Sequence, residues 1–265
     1  GAVGARGVAA AALSPYQGEV PTRARSEPVL AYPLGDALYL NITSACTLAC
    51  VFCPKIRDGD WMVGGYDLRL ERAPSADEVW ADALAAGLSG RSEVVFTGLG
   101  EPTRRLAVLL DLVRRLKAAG AVRVRLDTDG LASLREGRDV PPELAAAGLD
   151  AVVVSLNAPD AQTYARICPS RYGESAWEAA RAFIASALRC IPEVEAIRLE
   201  GLGGGRQEPL QVVRPDLVAE AARAAVDRRE QLSFEEAEGP RRVRVEDPVH
   251  DLELPVVSAR AERSH

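Results

Sequence analysis

Six times between residues 38 and 246 a short apolar segment of β type gives way to a helical one, and this alternation narrows the fold before any single residue is weighed. The strand candidates are residues 38–43, 93–97, 122–126, 151–156, 196–199 and 242–246, several of them bounded by Gly, Pro, Asp or Asn. Helical patterns stand between them. Ser75 with Glu78 three residues on marks the start of a helix running to about residue 88. Leu106, Leu109, Leu110, Val113 and Leu116 share one face over 104–119, with Gly120 as its stop. Further helices are expected at 142–147, 160–168, 177–190 and 217–229, whereas 32–36 reads as a turn and 132–140 as a loop. Strands separated by helices form a parallel sheet with right-handed crossovers. An eight-unit barrel takes about 250 residues and roughly 210 are available here, so the expected α/β fold is a partial (βα)6 barrel with parallel strands. A doubly wound open sheet is the alternative, since periodicity does not separate the two.

The barrel is expected over 29–247. A Gly-, Ala-, Arg- and Pro-rich stretch, 1–28, reads as a flexible extension, and 248–265 as an unplaced tail. The formal charge of −6 supplies no global basic field, so nucleic-acid binding is not indicated. No run approaches the ~18 apolar residues of a membrane span, and the alanine-rich stretch at 8–13 is a poor secretory core. Five cysteines, three of them clustered, fit a reducing compartment and a metal site better than a disulfide scaffold; a cytoplasmic location is the expectation.

The cluster is Cys46, Cys50 and Cys53, spaced C-x3-C-x2-C immediately after the first strand candidate. A closed zinc site wants four ligands on one ion, and a ferredoxin-type cluster wants four thiolates. The two histidines, His250 and His265, lie far along the chain, so no fourth ligand is near in sequence. Three thiolates on one loop suit a cubane cluster with one iron open to an outside ligand. A zinc knuckle completed by a distant histidine is the competing reading.

The spacing, with aromatic Phe52 before the last cysteine, resembles the cluster loop of the radical SAM superfamily. The resemblance implies a [4Fe–4S] cluster held by Cys46, Cys50 and Cys53, S-adenosylmethionine (SAM) on the open iron, and an electron donor such as flavodoxin or ferredoxin. It further implies that Phe52 packs near the adenine. Ligand sites of parallel βα folds gather at the C-terminal strand ends, and three more such ends carry suitable groups. Gly98-Leu99-Gly100-Glu101 is similar to the Gly-Gly-Glu stretch whose carboxylate meets the SAM amino group in that family. Asp127-Thr128-Asp129-Gly130 is similar to a D/N-T-N-G stretch, with Asp129 where Asn is usual. Ser155 and Asn157 place small polar groups after the fourth strand.

From about residue 32 to 191 the chain resembles one subgroup, the TatD-associated radical SAM proteins, through YPLGDALYLNIT, the cysteine loop, GYDLRLER, EVVFTGLGEPT, GRDV and VSLNAPDAQTY. That likeness implies a functional link to a TatD-type metal-dependent hydrolase and names no substrate. A non-catalytic iron–sulfur or zinc accessory protein is the alternative function. Cys168 and Cys190 are too few for an auxiliary cluster and read as buried structural thiols, and the glycine run 201–205 is a weak phosphate signal.

Overall fold

The computed structural model describes residues 28–121 and 123–198, together with the backbone of 211–212 and 242–243. The chain enters through a hairpin, β1 (Ala31–Leu34) and β2 (Ala37–Leu40), antiparallel with Ala31 opposite Leu40. Of residues 32–36, expected as a turn, 35–36 form it and 32–34 belong to β1. Pro33 is tolerated because β1 is an edge, and Gly35 at φ +59° makes the two-residue loop. After a single helical turn, α1 (Pro54–Arg57), a second small hairpin pairs β3 (Met62–Val63) with β4 (Tyr66–Asp67) across Gly64-Gly65.

The regular βα units follow. Helix α2 (Ala76–Ala86) carries the expected capping box, with Ser75 Oγ accepting from Glu78 N–H and the Glu78 carboxylate accepting from Ser75 N–H. Strand β5 (Val94–Phe96) leads through a 3-10 turn (Pro102–Arg105) into α3 (Leu106–Ala118). Strand β6 (Val124–Thr128) runs two residues further than the sequence reading placed it, so Asp127 and Thr128 are its last residues. Next come α4 (Ala132–Glu136), α5 (Pro141–Ala147), β7 (Ala151–Asn157), α6 (Ala161–Ile167), α7 (Ser175–Cys190) and β8 (Glu193–Arg198). The loop expected over 132–140 thus contains a short helix, closed by Gly137 in the left-handed region at φ +66°. Two short strands, β9 (Gln211–Val212) and β10 (Arg242–Val243), complete the described elements.

Strands β2, β5, β6, β7, β8 and β10 are parallel neighbours in chain order. A doubly wound sheet reverses its strand order at a switch point and covers both faces with helices. Neither occurs among the described residues. Leu38 and Leu40, Val94 and Phe96, Val124 and Leu126, Val152 and Val154, and Val194 and Ala196 all join one core with buried residues of α2, α3, α5, α6 and α7. The alternate residues face away from that core. One helical layer on a sheet wound in a single direction is the wall of a partial (βα)6 barrel. The antiparallel edges β1 and, on β8, β9 are departures from the all-parallel expectation. On the face away from the helices Tyr32 stacks on Tyr39 and lies against Tyr66, beside Val29, Leu68 and Leu99.

The expected extension (Pro28 apart), the helix at 217–229, the glycine run 201–205 and the tail lie outside the described residues.

Candidate functional site

The cysteine loop leaves the C-terminal end of β2, and its first residues are fixed before the thiols begin. Asn41 is fully buried; its N–H donates to Leu30 C=O and its amide nitrogen to Val29 and Leu68 C=O, at 3.0 Å each. Thr43 Oγ accepts from Ala45 N–H, and Ser44 Oγ from Leu70 N–H. The thiols then sit half-buried, all three free, with Phe52 packed partly against the core. Main-chain bonds Ala49 N–H to Pro169 C=O (2.8 Å) and Val51 N–H to Ile167 C=O (2.9 Å) tether the loop to the end of α6. Lys55, just past the last cysteine, donates to Ser44 C=O and Leu99 C=O and lies over the Trp61 ring. That one ammonium group joins the cysteine loop to the glycine loop of the neighbouring strand.

The glycine loop fits against the cysteine loop with no room to spare. A Cβ on Gly100 would lie 2.0 Å from the Thr43 carbonyl oxygen, and Glu101 N–H donates to Ala45 C=O at 2.9 Å. Glu101 is 3% exposed. Its Oε1 accepts from Thr103 N–H (2.9 Å), Thr103 Oγ (2.6 Å) and Thr128 Oγ (2.8 Å), and its Oε2 from Asp129 N–H (2.7 Å). Glu101 is therefore a buried knot joining the ends of β5 and β6, with acceptor capacity left on Oε2.

Asp129 lies beside this knot, buried. Its Oδ1 accepts from Leu131 N–H while Oδ2 has no partner, and burial first, the Glu101 charge second, push its carboxyl well up. Asp127, one pleat earlier, pairs with Arg125 at 2.9 Å. Desolvation lifts its carboxyl to about 6 against the opposing pull of Arg125. Thr128 Oγ also accepts from Gly130 N–H. Gly98 takes φ +144°, with Asn41 Oδ1 3.0 Å from where a Cβ would stand. At the end of β7, Ser155 is half-buried on the face away from the helices, just before a register shift. Asn157 is buried and left-handed at φ +56°, and its amide nitrogen donates to Cys168 Sγ at 3.5 Å.

The residues proposed from the sequence as cluster or SAM contacts thus all lie at the C-terminal strand ends or on the loops that leave them, but three of the contacts differ in kind. Glu101 and Thr128 bond chiefly to each other and to backbone, and Asn157 to a cysteine. Lys55, Asn41 and Thr103 were not singled out; a buried-strand Asn and a Lys directly after the cysteines were the available signals. Cys168 read as a structural thiol, and it is buried, yet the main-chain bonds of residues 49 and 51 to 169 and 167 set it opposite Cys50.

The donor set fits an iron–sulfur cluster. Burial raises the Cys46 thiol to about 12 and, after the hydrogen bond with Cys168, raises that of Cys50, so a cationic centre is what would hold these sulfurs as thiolates. Among the described residues no three His, Cys, Asp or Glu side chains converge as the ligands of one ion must. Thiolates that each bind a separate iron are under no such requirement. Thr47 Oγ, Asp129 Oδ2 and Tyr164 Oη are buried without partners. Buried polar atoms are normally partnered, and a polar cofactor at these strand ends would serve them.

The family model described as the radical SAM superfamily matches residues 40–191. A GTP 3',8-cyclase of Mycobacterium sp. (strain KMS) is 36% identical over 135 residues, covering 49% of this chain and 34% of that one. A probable GTP 3',8-cyclase of Saccharolobus solfataricus is 34% identical over 136 residues, covering 51% and 39%. The chain matches little more than a third of the length of these relatives. Among solved structures, HydG, a maturase of the [FeFe]-hydrogenase, superposes with a TM-score of 0.48 at 14% identity over 73% of this chain and 39% of that one.

Proposed function

The chain belongs to the radical SAM superfamily, and on that premise we propose that it is an enzyme that cleaves SAM reductively at a [4Fe–4S] cluster held by Cys46, Cys50 and Cys53. The observation that carries the reading is the three-cysteine loop itself, tethered at a C-terminal strand end of a sequentially wound parallel sheet with no fourth ligand on it. When bound and reduced, such a cluster supplies the electron that splits SAM into methionine and a 5′-deoxyadenosyl radical.

The chain's own residues bind and orient. Gly98 and Gly100 seat the glycine loop against Asn41 and Thr43, where a Cβ would crowd those residues, and so hold its backbone beside the cysteines for contact with the cofactor. Asp129 Oδ2, without a protein partner, is the acceptor best placed for the SAM ammonium, and the free capacity of Glu101 Oε2 supports it. Asp127, Thr128 and Ser155 offer oxygens to the ribose, and half-buried Phe52 flanks the adenine. The reducing equivalent would come from a flavodoxin- or ferredoxin-type donor. The subgroup likeness to TatD-associated proteins supports a link to a TatD-type hydrolase in a cytoplasmic setting. No helix among the described residues is long and apolar enough to cross a membrane.

The test is anaerobic reconstitution with iron and sulfide, then dithionite and SAM, with 5′-deoxyadenosine as the product assayed. Formation that disappears in Cys50→Ala is expected. A chain that binds a cluster and never cleaves SAM, even with electron donor and candidate substrates supplied, would instead be the accessory protein.

A further inference from the structure

Cys168 stands opposite Cys50 by construction. The bonds Ala49 N–H to Pro169 C=O and Val51 N–H to Ile167 C=O are those of a short antiparallel pairing, in which positions 49 and 169, and 51 and 167, face each other. The residues between them, Cys50 and Cys168, occupy the non-hydrogen-bonded pair, where side chains on one face approach most closely. Their side chains therefore face each other at the closest spacing an antiparallel pair offers, within reach of a sulfur–sulfur hydrogen bond. Cys168 is 1% exposed and is held from its other side by the Asn157 amide nitrogen.

The proton inventory fixes the direction of this bond once Cys50 binds iron. A metal-bound thiolate has no proton and can only accept. The Asn157 amide already donates to the Cys168 sulfur, so the single S–H of Cys168 is left to point at Cys50. Hydrogen bonds to ligand sulfur set the potential of an iron–sulfur cluster, because they favour the more negative, reduced form. Burial strengthens such a bond.

We propose that Cys168 is a positioning residue for the cluster: held by Asn157, its thiol donates to the Cys50 thiolate and makes the cluster easier to reduce. The inference rests on the cluster assignment above. It uses this chain's own pairing of residues 49–51 with 167–169, and it gives Asn157 a task other than cofactor contact.

The experiment is an EPR-monitored redox titration of the reconstituted full chain. Cys168→Ala should lower the midpoint potential, shifting the reduced-to-oxidised ratio at a fixed potential three- to tenfold; a tenfold shift is about 59 mV for a one-electron couple. Cys168→Ser keeps a donor and should stay closer to the parent than Cys168→Ala does. Asn157→Gly suits the left-handed backbone, removes the amide and should also lower the potential, shifting that ratio about threefold, which keeps a test in hand if Cys168→Ala does not fold. Iron content should be that of the parent in all three. An unmoved potential in Asn157→Gly, or in a folded Cys168→Ala, overturns the proposal. So does loss of iron from a folded Cys168→Ala, which would make Cys168 a ligand. A parent chain that takes up no iron removes the cluster assignment together with this inference, whereas a cluster of unchanged potential removes only the inference.

Discussion

The cysteine loop and the Glu101 knot occupy neighbouring strand ends and are built in opposite ways. The loop is held by its main chain and by Lys55, and its three thiols are left half-buried and free. The knot is held by its side chains: one buried carboxylate takes four donors from Thr103, Thr128 and Asp129. The first arrangement leaves reactive groups available without making the fold depend on them. The second makes the fold depend on a polar group while leaving only part of that group for a ligand. A substitution in the knot should therefore cost stability, and one at a loop thiol should cost chiefly the metal.

The sharpest way to break this contrast is at the seam between the two regions. Gly100→Ala puts a methyl group where only 2.0 Å separates it from backbone oxygen. We expect about 3 kcal/mol or more of lost stability in denaturant unfolding of the cluster-free chain. Glu101→Gln comes next. Its amide turns donors toward donors, and the expected loss is about 2 kcal/mol. Cys50→Ala should lose under about 1 kcal/mol while abolishing iron binding. Equal stability losses in Glu101→Gln and Cys50→Ala would erase the distinction.

Asp127 sharpens the comparison through pH. Its carboxyl is lifted by burial to about 6, so the folded chain holds that proton more tightly than the unfolded chain does. Its contribution is complete below pH 4 and is lost as pH rises through 6. Asn at this position does not titrate. The stability of Asp127→Asn relative to the parent should thus improve between pH 4 and pH 7, by up to about 2 kcal/mol. A difference independent of pH would mean that Asp127 is solvated. The smallest effect is expected for Lys55→Met, which removes the two bonds to Ser44 and Leu99 carbonyls at about 1 kcal/mol. Faster amide exchange confined to both loops is its signature.

The two regions also differ in how far they could be read from sequence. Cys46, Cys50 and Cys53 stand on one loop, so the cluster we propose for them is written in their spacing. The knot joins residues 27 and 28 positions apart, and nothing local in GLGEP or DTDG says that one supplies the acceptor for the other. Cys168 is buried as the sequence suggested, but its place opposite Cys50 could not be read for the same reason, because the two are 118 positions apart. The capping box of α2 and the apolar face of α3 were legible because both are contained within a few turns of helix. Helix α4 was missed because its five residues give no period to read, and β1 because Tyr-Pro and Gly-Asp are turn signals until the edge position of the strand is known. The choice between a barrel wall and a doubly wound sheet needed the order of strands and the side on which helices pack, which periodicity does not encode.

The central claim is that three cysteines hold a cluster whose remaining iron receives SAM. The direct test is the EPR spectrum of the dithionite-reduced, reconstituted chain recorded with and without SAM. A [4Fe–4S] signal whose g values move on adding SAM, and which is absent from Cys50→Ala, is the predicted result. Bound zinc with no iron chromophore, or a cluster signal indifferent to SAM, would contradict it.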